Sequence, residues 1–98
     1  ELRQVLAVGP RAARYPGRGK PLALGISADD EVCEGDGRYR VYQFPTPYPS
    51  APLILEAIAL DERYHVIWAE ATASAISFCV QSDVPFEQTT VYFLLRSP

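Results

Sequence analysis

Hydrophobic and polar residues alternate along much of the chain, in short runs separated by turn-forming residues. A period of two residues is typical of half-buried β-strands, and the pattern predicts no helix of significant length. The runs predict about six strands, at residues 21–27, 38–44, 52–60, 64–71, 76–81 and 88–96. Strands at such regular spacing predict an all-β fold, a six-stranded antiparallel β-sandwich or a barrel.

Two segments within these strands, 53–60 and 91–95, are apolar on both faces. A sheet whose outer face meets water should alternate apolar and polar residues instead. The chain has 98 residues, which is one domain, and a domain of this size buries only about two-thirds of its unfolded surface. We therefore expect other copies of the same chain to cover the outer face, so the pattern predicts a homo-oligomer.

Proline and glycine divide the chain into an arm and a domain. Residues 1–20 contain Gly-Pro and Pro-Gly pairs and are predicted to be a basic arm or linker, with a short helical turn or an edge strand as alternatives for 1–8. Residues 21–98 are predicted to be the β-sandwich. Segment 45–50 contains three prolines, which donate no backbone hydrogen bond, so we expect it to be a rigid connector between two sheets.

Charge is distributed unevenly, although the net charge is only −3. Residues 1–20 carry five basic side chains and one acid, whereas residues 29–36 carry five acids and no base. The arm lacks the interleaved aromatic residues of a nucleic-acid-binding segment, so we expect it to pair with acidic surface on its own or a neighbouring subunit, and we predict no nucleic-acid partner. No apolar run of about 18 residues occurs in the sequence, so no membrane insertion is expected.

The two cysteines, Cys33 and Cys79, are too few for a disulfide framework and lack a metal-binding or redox spacing. Cys79 lies in an apolar strand, where a buried thiol is the usual state. The sequence therefore favours two free thiols, with a bridge between them as the alternative.

Candidate catalytic and metal-binding groups are few. Glu56 and Glu70 are acids in apolar strands, and a glycosidase would need such a pair to share one cleft. The acidic block lacks the EF-hand ligand spacing, so we predict no metal. Because candidate catalytic groups are so few, we also predict no enzyme activity, no catalytic residue and no cofactor. Trp68 shares the parity of Val66 and is predicted to lie in the core, which leaves Tyr48, in the connector, as the aromatic residue most exposed to a ligand.

A resemblance to known proteins begins at Tyr42. Phe44, Tyr48 and Pro52 follow one another at intervals of four and lead into an apolar strand that ends at Leu60. Further apolar strands follow at 64–67, 76–80 and 91–95. This pattern resembles the H-type lectin domain of snail agglutinins and discoidins, and the carboxy-terminal tip domains of bacteriophage tail fibres. The resemblance covers residues 42–98.

The resemblance implies a six-stranded sandwich that assembles as a homotrimer and binds cell-surface sugars in clefts between subunits. In the lectins an arginine early in the strand after the Leu-Asp turn contributes to the sugar site, and His65 stands at that position here. An aromatic residue and a histidine after the cysteine-bearing strand also contribute, and Ser82 and Asp83 stand there. The lectin side chains are not retained, which fits the tail-fibre tips, whose loops vary with the host.

The sequence therefore predicts the receptor-binding tip of a phage or phage-like tail fibre. As a virion component outside the cell, it would join another fibre or virion protein and recognise a host-surface polysaccharide. The candidate glycan-binding residues are His65, Ser82, Asp83 and Tyr48. A trimerisation or structural cap that binds no ligand is the alternative.

Overall fold

The computed structural model describes residues 19–98 and the backbone of residues 5–7. Within these ranges the chain is all-β, and its only helical segment is a 3-10 turn at Glu34–Asp36. The strands are β1 Val5–Ala7, β2 Lys20–Ser27, β3 Glu31–Val32, β4 Arg38–Gln43, β5 Leu53–Ala59, β6 Tyr64–Ala71, β7 Ala75–Ser82 and β8 Gln88–Arg96.

The strands form two four-stranded sheets that pack face to face as a β-sandwich. Sheet I has the order β1-β5-β8-β2, and sheet II has the order β3-β4-β7-β6. All pairs are antiparallel apart from the parallel pair of β1 with β5. The six predicted strands are present, but the predicted count of six is wrong. β1 and β3 have three and two residues, too few to produce a period of two. The edge-strand alternative for 1–8 is confirmed over Val5–Ala7.

Inward-facing side chains of both sheets fill the space between them. The rings of Phe78 and Phe93 meet edge to face there, with centroids 5.0 Å apart. Pairs of this geometry stabilise a core beyond the area that they bury. In β2, Leu22, Leu24 and Ile26 share one face and pack into or against this core.

A β-bulge in β6 reverses the parity that the sequence pattern predicts. The pairing of β6 with β7 skips Ile67, while Trp68 pairs with Cys79. An extra residue of this kind turns the side chains that follow to the opposite face. The predicted core position of Trp68 is therefore wrong. Its ring packs outside the core against Tyr39, with centroids 5.6 Å apart.

Part of the apolar outer face of sheet I is already buried within the single chain. Leu55 and Leu94 are buried, although both lie outside the central core cluster. Gly19 lies directly against Leu94, since a β-carbon on this glycine would be 2.7 Å from the leucine Cγ. The expectation that one chain cannot hide both strand faces is wrong at these positions. Ile58 and Leu60 are nevertheless 38% and 67% exposed. The predicted pairing of the basic arm concerns residues outside the described ranges.

Cys33 and Cys79 form a disulfide, with Cα atoms 6.4 Å apart and a sequence separation of 46 residues. The prediction of two free thiols is therefore wrong. The spacing of two cysteines this far apart in sequence does not indicate whether they are neighbours in the folded chain. Here β4 pairs with β7 through Tyr39 and Cys79, which brings the loop before β4 beside the second cysteine.

Candidate functional site

Two loops meet at one end of the sandwich and enclose a cleft of about 540 Å³, the end cleft. One wall is the turn 34–37 together with Arg38, the first residue of β4. The other wall is the loop 82–86 between β7 and β8. The walls adjoin because Arg38, the first residue of β4, pairs with Val80 near the end of β7. A cleft of this volume has the size of a small-molecule site.

Three of the four residues predicted to bind a ligand lie together here. Ser82 and Asp83 line the cleft. His65 Nε2 lies 3.0 Å from Asp83 Oδ2, and both side chains are exposed. The Ser82 hydroxyl accepts a hydrogen bond of 3.1 Å from the Val84 N–H, which fixes the first turn of the loop. The rim therefore carries both donors and acceptors within reach of a ligand.

Arg38 braces the turn that forms the first wall. Its Nε donates to Ala28 O at 3.0 Å, and its Nη1 donates to Asp36 O at 2.6 Å and to Gly37 O at 3.2 Å. Its guanidinium carbon lies 5.4 Å from the centroid of the Phe86 ring, a cation–π distance that joins the two walls. The alternating pattern of β4 gives Arg38 no special mark, so sequence reasoning missed this residue.

The backbone of the turn adopts conformations that favour glycine. Gly35 and Asp36 have φ angles of 59° and 60°. For Asp36 this left-handed region costs on the order of 1 kcal/mol, and such strain is commonest at functional sites. Gln81 Nε2 donates to Glu34 O at 2.8 Å and ties the turn to β7. Gly37 is enclosed, because a β-carbon there would lie 2.6 Å from a backbone carbonyl oxygen.

An aromatic pair supports the second wall. The half-buried Phe86 ring packs edge to face on the buried Tyr64, with centroids 5.1 Å apart. The Glu87 N–H donates to the Tyr64 hydroxyl at 3.2 Å, which anchors the end of the loop. Phe86 also lines the cleft and offers an apolar contact beside its hydrogen-bonding groups.

An ion pair holds the turn between β5 and β6 beside this loop. Arg63 Nη2 lies 2.7 Å from Asp61 Oδ2, and Arg63 Nε donates to Asp61 Oδ1 at 3.1 Å. The hydrogen bonds from the Arg63 side chain and backbone lower the pKa of Asp61 from 3.8 to about 2, and the same side-chain bond raises the pKa of Arg63. The Asp83 N–H donates to Arg63 O at 2.9 Å, which joins this turn to the end cleft.

The fourth predicted residue, Tyr48, lies at the other end of the sandwich. Its N–H donates to Ala73 O, in the turn after β6, at 2.8 Å, whereas His65 lies near the start of β6. A strand of this length spans roughly 23 Å, so the two residues do not face the same part of a ligand. Tyr48 lines a second cleft of about 460 Å³, the connector cleft, together with Tyr42 and Phe44.

Glu56 and Glu70 do not share a cleft. Glu56 pairs with Leu94 on the outer face of sheet I, and Glu70 pairs with Ser77 on the outer face of sheet II. Packed sheets lie about 10 Å apart, and their outward side chains point away from each other. The pair therefore cannot flank one glycosidic bond. Glu56 is only 3% exposed, and its Oε2 has no hydrogen-bond partner among the described residues.

Within residues 19–98, no cluster of three or more His, Cys, Asp and Glu side chains is arranged to hold a metal ion. The acidic block makes local hydrogen bonds instead, such as the bond of 2.8 Å from the Ser27 N–H to Asp30 Oδ2. No helix in the described part of the chain has the length and apolar character needed to cross a membrane.

No family model, curated protein or solved structure matches this chain. We therefore infer function from the geometry of the end cleft and from the lectin-like pattern of residues 42–98.

Proposed function

We propose that this domain is a carbohydrate-binding module, the receptor-binding tip of a phage-like tail fibre, which works as a homotrimer. The observation that carries the proposal is the convergence of His65, Ser82 and Asp83 at the end cleft. These residues occupy the positions that the H-type lectin pattern associates with sugar binding. His65 and Asp83 are 18 residues apart in sequence, yet their side chains are in contact.

The chemistry of the end cleft suits a saccharide. Sugar hydroxyls both donate and accept hydrogen bonds, so the Asp83 carboxylate can accept from them and the Ser82 hydroxyl can donate to them. His65 Nε2 is held by Asp83 Oδ2, which leaves the other ring nitrogen of His65 for a ligand. Phe86 adds an apolar surface beside these groups. His65 and Asp83 are exposed at the rim, so a unit of a longer polysaccharide can reach them. Binding at one such site is weak, and three linked sites gain affinity by avidity.

The disulfide supports a location outside the cell. Disulfides persist in oxidising compartments and on virion surfaces, whereas the reducing cytosol keeps most thiols free. The Cys33–Cys79 bond therefore favours a host-facing fibre protein over a cytosolic one.

Exposed apolar residues support assembly. Ile58 and Leu60 lie in and just beyond β5, in a segment whose outer face the lectin-like fold would use around a three-fold axis. Covering them in a trimer would contribute about 25 cal/mol per Å² of apolar surface removed from water. The same exposure favours a second candidate function, a trimerisation cap that joins a longer fibre and binds no ligand.

A panel of bacterial surface polysaccharides, immobilised as an array, tests the proposal. We expect the native assembly to bind at least one member, and Asp83→Ala to weaken that binding about tenfold or more, because hydrogen bonds to charged groups contribute roughly 1.5–3 kcal/mol. Gln43→Ala, at an exposed position of β4 outside the end cleft, is the matched control and should bind normally.

Light scattering on the same sample measures the assembly. A mass three times that of the chain agrees with the proposal, and a trimer that binds no member of the panel favours the cap. A monomer at high dilution contradicts both candidate functions.

A further inference from the structure

We infer that the Cys33–Cys79 disulfide is a redox-sensitive clamp on the end cleft, so that its reduction releases the turn 34–37 while the β-sandwich stays folded. The inference concerns the regulation of the proposed saccharide site and rests on that function only for its effect on binding. Its structural part, the release of the turn, stands on the geometry alone.

The bond joins the residue before the first wall of the cleft to the strand that leads into the second wall. Cys33 immediately precedes the Glu34–Asp36 turn, and Cys79 lies in β7 three residues before Ser82. The sulfur also packs on the turn, since a β-carbon on Gly37 would be 3.1 Å from Cys33 Sγ. The disulfide therefore holds the first wall against β7, the strand that leads into the second wall.

Among the described residues, a few hydrogen bonds also hold the turn to the sandwich. Arg38 Nη1, in β4, donates to Asp36 O at 2.6 Å and to Gly37 O at 3.2 Å. Gln81 makes a hydrogen bond to Glu34 O at 2.8 Å, at an exposed site. The bonds from the Cys33 N–H to Gly37 O and from the Gly37 N–H to Glu34 O, each 3.0 Å, lie within the turn itself. β3, the strand that precedes it, has two residues, both exposed. A segment with so few buried contacts belongs to the least stable part of a fold.

The bond lies outside the central core cluster. Neither cysteine belongs to the central cluster, which is built from inward-facing residues of both sheets. The long strands β5 and β8 pair with each other in sheet I, on the far side of the core from the disulfide. We therefore expect reduction to act locally, on the loop of sheet II that carries the first wall.

Cys33 is the more exposed of the two cysteines. It is partly exposed, whereas Cys79 is fully buried. A thiolate of a small dithiol attacks Cys33 Sγ, a mixed disulfide forms there, and Cys79 leaves as a thiolate that takes up a proton. The second thiol of the reagent then attacks the mixed disulfide, which releases the Cys33 thiol and leaves the reagent as a cyclic disulfide. The protein gains two electrons and two protons, and the dithiol loses them.

Hydrogen–deuterium exchange on the full chain, with and without dithiothreitol, tests the clamp without any ligand. The Cys33 and Gly37 amides are the reporters, because both are hydrogen-bonded within the turn. We expect their exchange to become about tenfold faster or more on reduction, while amides of β5 and β8 keep their rates. The double variant Cys33→Ser/Cys79→Ser should reproduce the reduced pattern without reductant.

Two exchange results overturn the clamp. One is an unchanged rate at Cys33 and Gly37 in the reduced protein, which means that the turn holds without the bond. The other is equal acceleration in β5 and β8, which means that the bond supports the whole fold. The polysaccharide panel, repeated with reduced protein, should lose its signal, and retained binding contradicts the regulatory role. If neither the oxidised nor the reduced protein binds any polysaccharide, the proposed function is contradicted. The exchange rates still show whether the disulfide holds the turn in place.

Discussion

Gly37 is a residue on which the first wall of the end cleft depends directly. A β-carbon there would lie 2.6 Å from Val80 O and 3.0 Å from Glu34 O, and both are backbone atoms that cannot rotate away. We predict that Gly37→Ala lowers the free energy of unfolding by about 1–3 kcal/mol, because overpacking forces the backbone to move. Urea denaturation measures the change.

Gly25 provides the matched control for this substitution. It is exposed in β2, and no atom of the described part of the chain lies within 4 Å of the β-carbon that alanine would add. Gly25→Ala should be neutral or stabilising by up to about 1 kcal/mol, because alanine loses less backbone entropy in a strand. Equal stability of the two variants would contradict the tight fit at Gly37.

Asp61 gives a prediction for pH dependence. Its pKa is about 2 in the folded chain, lowered from 3.8 chiefly by the hydrogen bond from the Arg63 side chain. A carboxyl group whose pKa is lowered by folding stabilises the protein above its unfolded pKa. This contribution is present above about pH 4 and is lost as the pH falls towards 2.

Carboxyl NMR titration measures the Asp61 pKa. In Arg63→Ala we expect it to rise towards 3.8, since the largest cause of the shift is removed. Arg63→Lys is the control that keeps the positive charge but lacks the two-nitrogen fork, and it should give an intermediate value. A wild-type Asp61 that titrates near 3.8 would rule out the bidentate pair in solution.

At the scale of strands, periodicity predicted most of the fold. The bounds predicted for β6 and β8 agree with the structure, and both lie in clear runs of apolar and β-branched residues. The facing of β6 could not be predicted, because nothing in its sequence marks Ile67 as the extra residue of a bulge. Each strand can be recognised locally, whereas a bulge depends on which residues of the neighbouring strand are opposite.

The bulge itself can be tested. Deletion of Ile67 would leave Val66 opposite Val80 and Trp68 opposite Cys79 in a continuous ladder, so Trp68 should keep its outward position. Ile67→Ala keeps the bulge and removes only a half-buried side chain, so it should cost roughly 1–2 kcal/mol of unfolding free energy. We predict that urea denaturation finds a similar cost for the deletion, because both variants lose the same side chain and keep the same strand pairs. A deletion that costs more than about 3 kcal/mol would contradict the assignment of Ile67 as the extra residue of the bulge.

The site was predictable only in part, for a related reason. His65, Ser82 and Asp83 were identified by their positions in a lectin-like pattern, and the structure brings them together. Arg38 acts through contacts with a loop ten residues earlier and with Phe86, which are formed only by the folded chain. The disulfide could not be predicted for the same reason, because it joins segments that only the pairing of β4 with β7 brings together.

At the scale of the whole molecule, the two clefts occupy opposite ends of the sandwich. β2 begins at Lys20 beside the connector cleft and ends at Ser27, close to the loop of the end cleft, where the Ala28 N–H donates to Glu87 O at 2.9 Å. The end cleft carries the exposed polar groups, whereas the connector cleft is lined largely by aromatic and proline side chains. Under the proposed function, we expect a saccharide to bind in the end cleft and not in the connector cleft.

Chemical-shift mapping tests this assignment most directly. The isotope-labelled domain would be titrated with the polysaccharide fragment that gives the strongest array signal, and its amide resonances followed. The account predicts that the shifts concentrate in residues 34–38 and 82–86 and at His65, with Tyr42, Phe44 and Tyr48 unaffected. Shifts confined to the connector cleft, or none at a saturating fragment concentration, would contradict it.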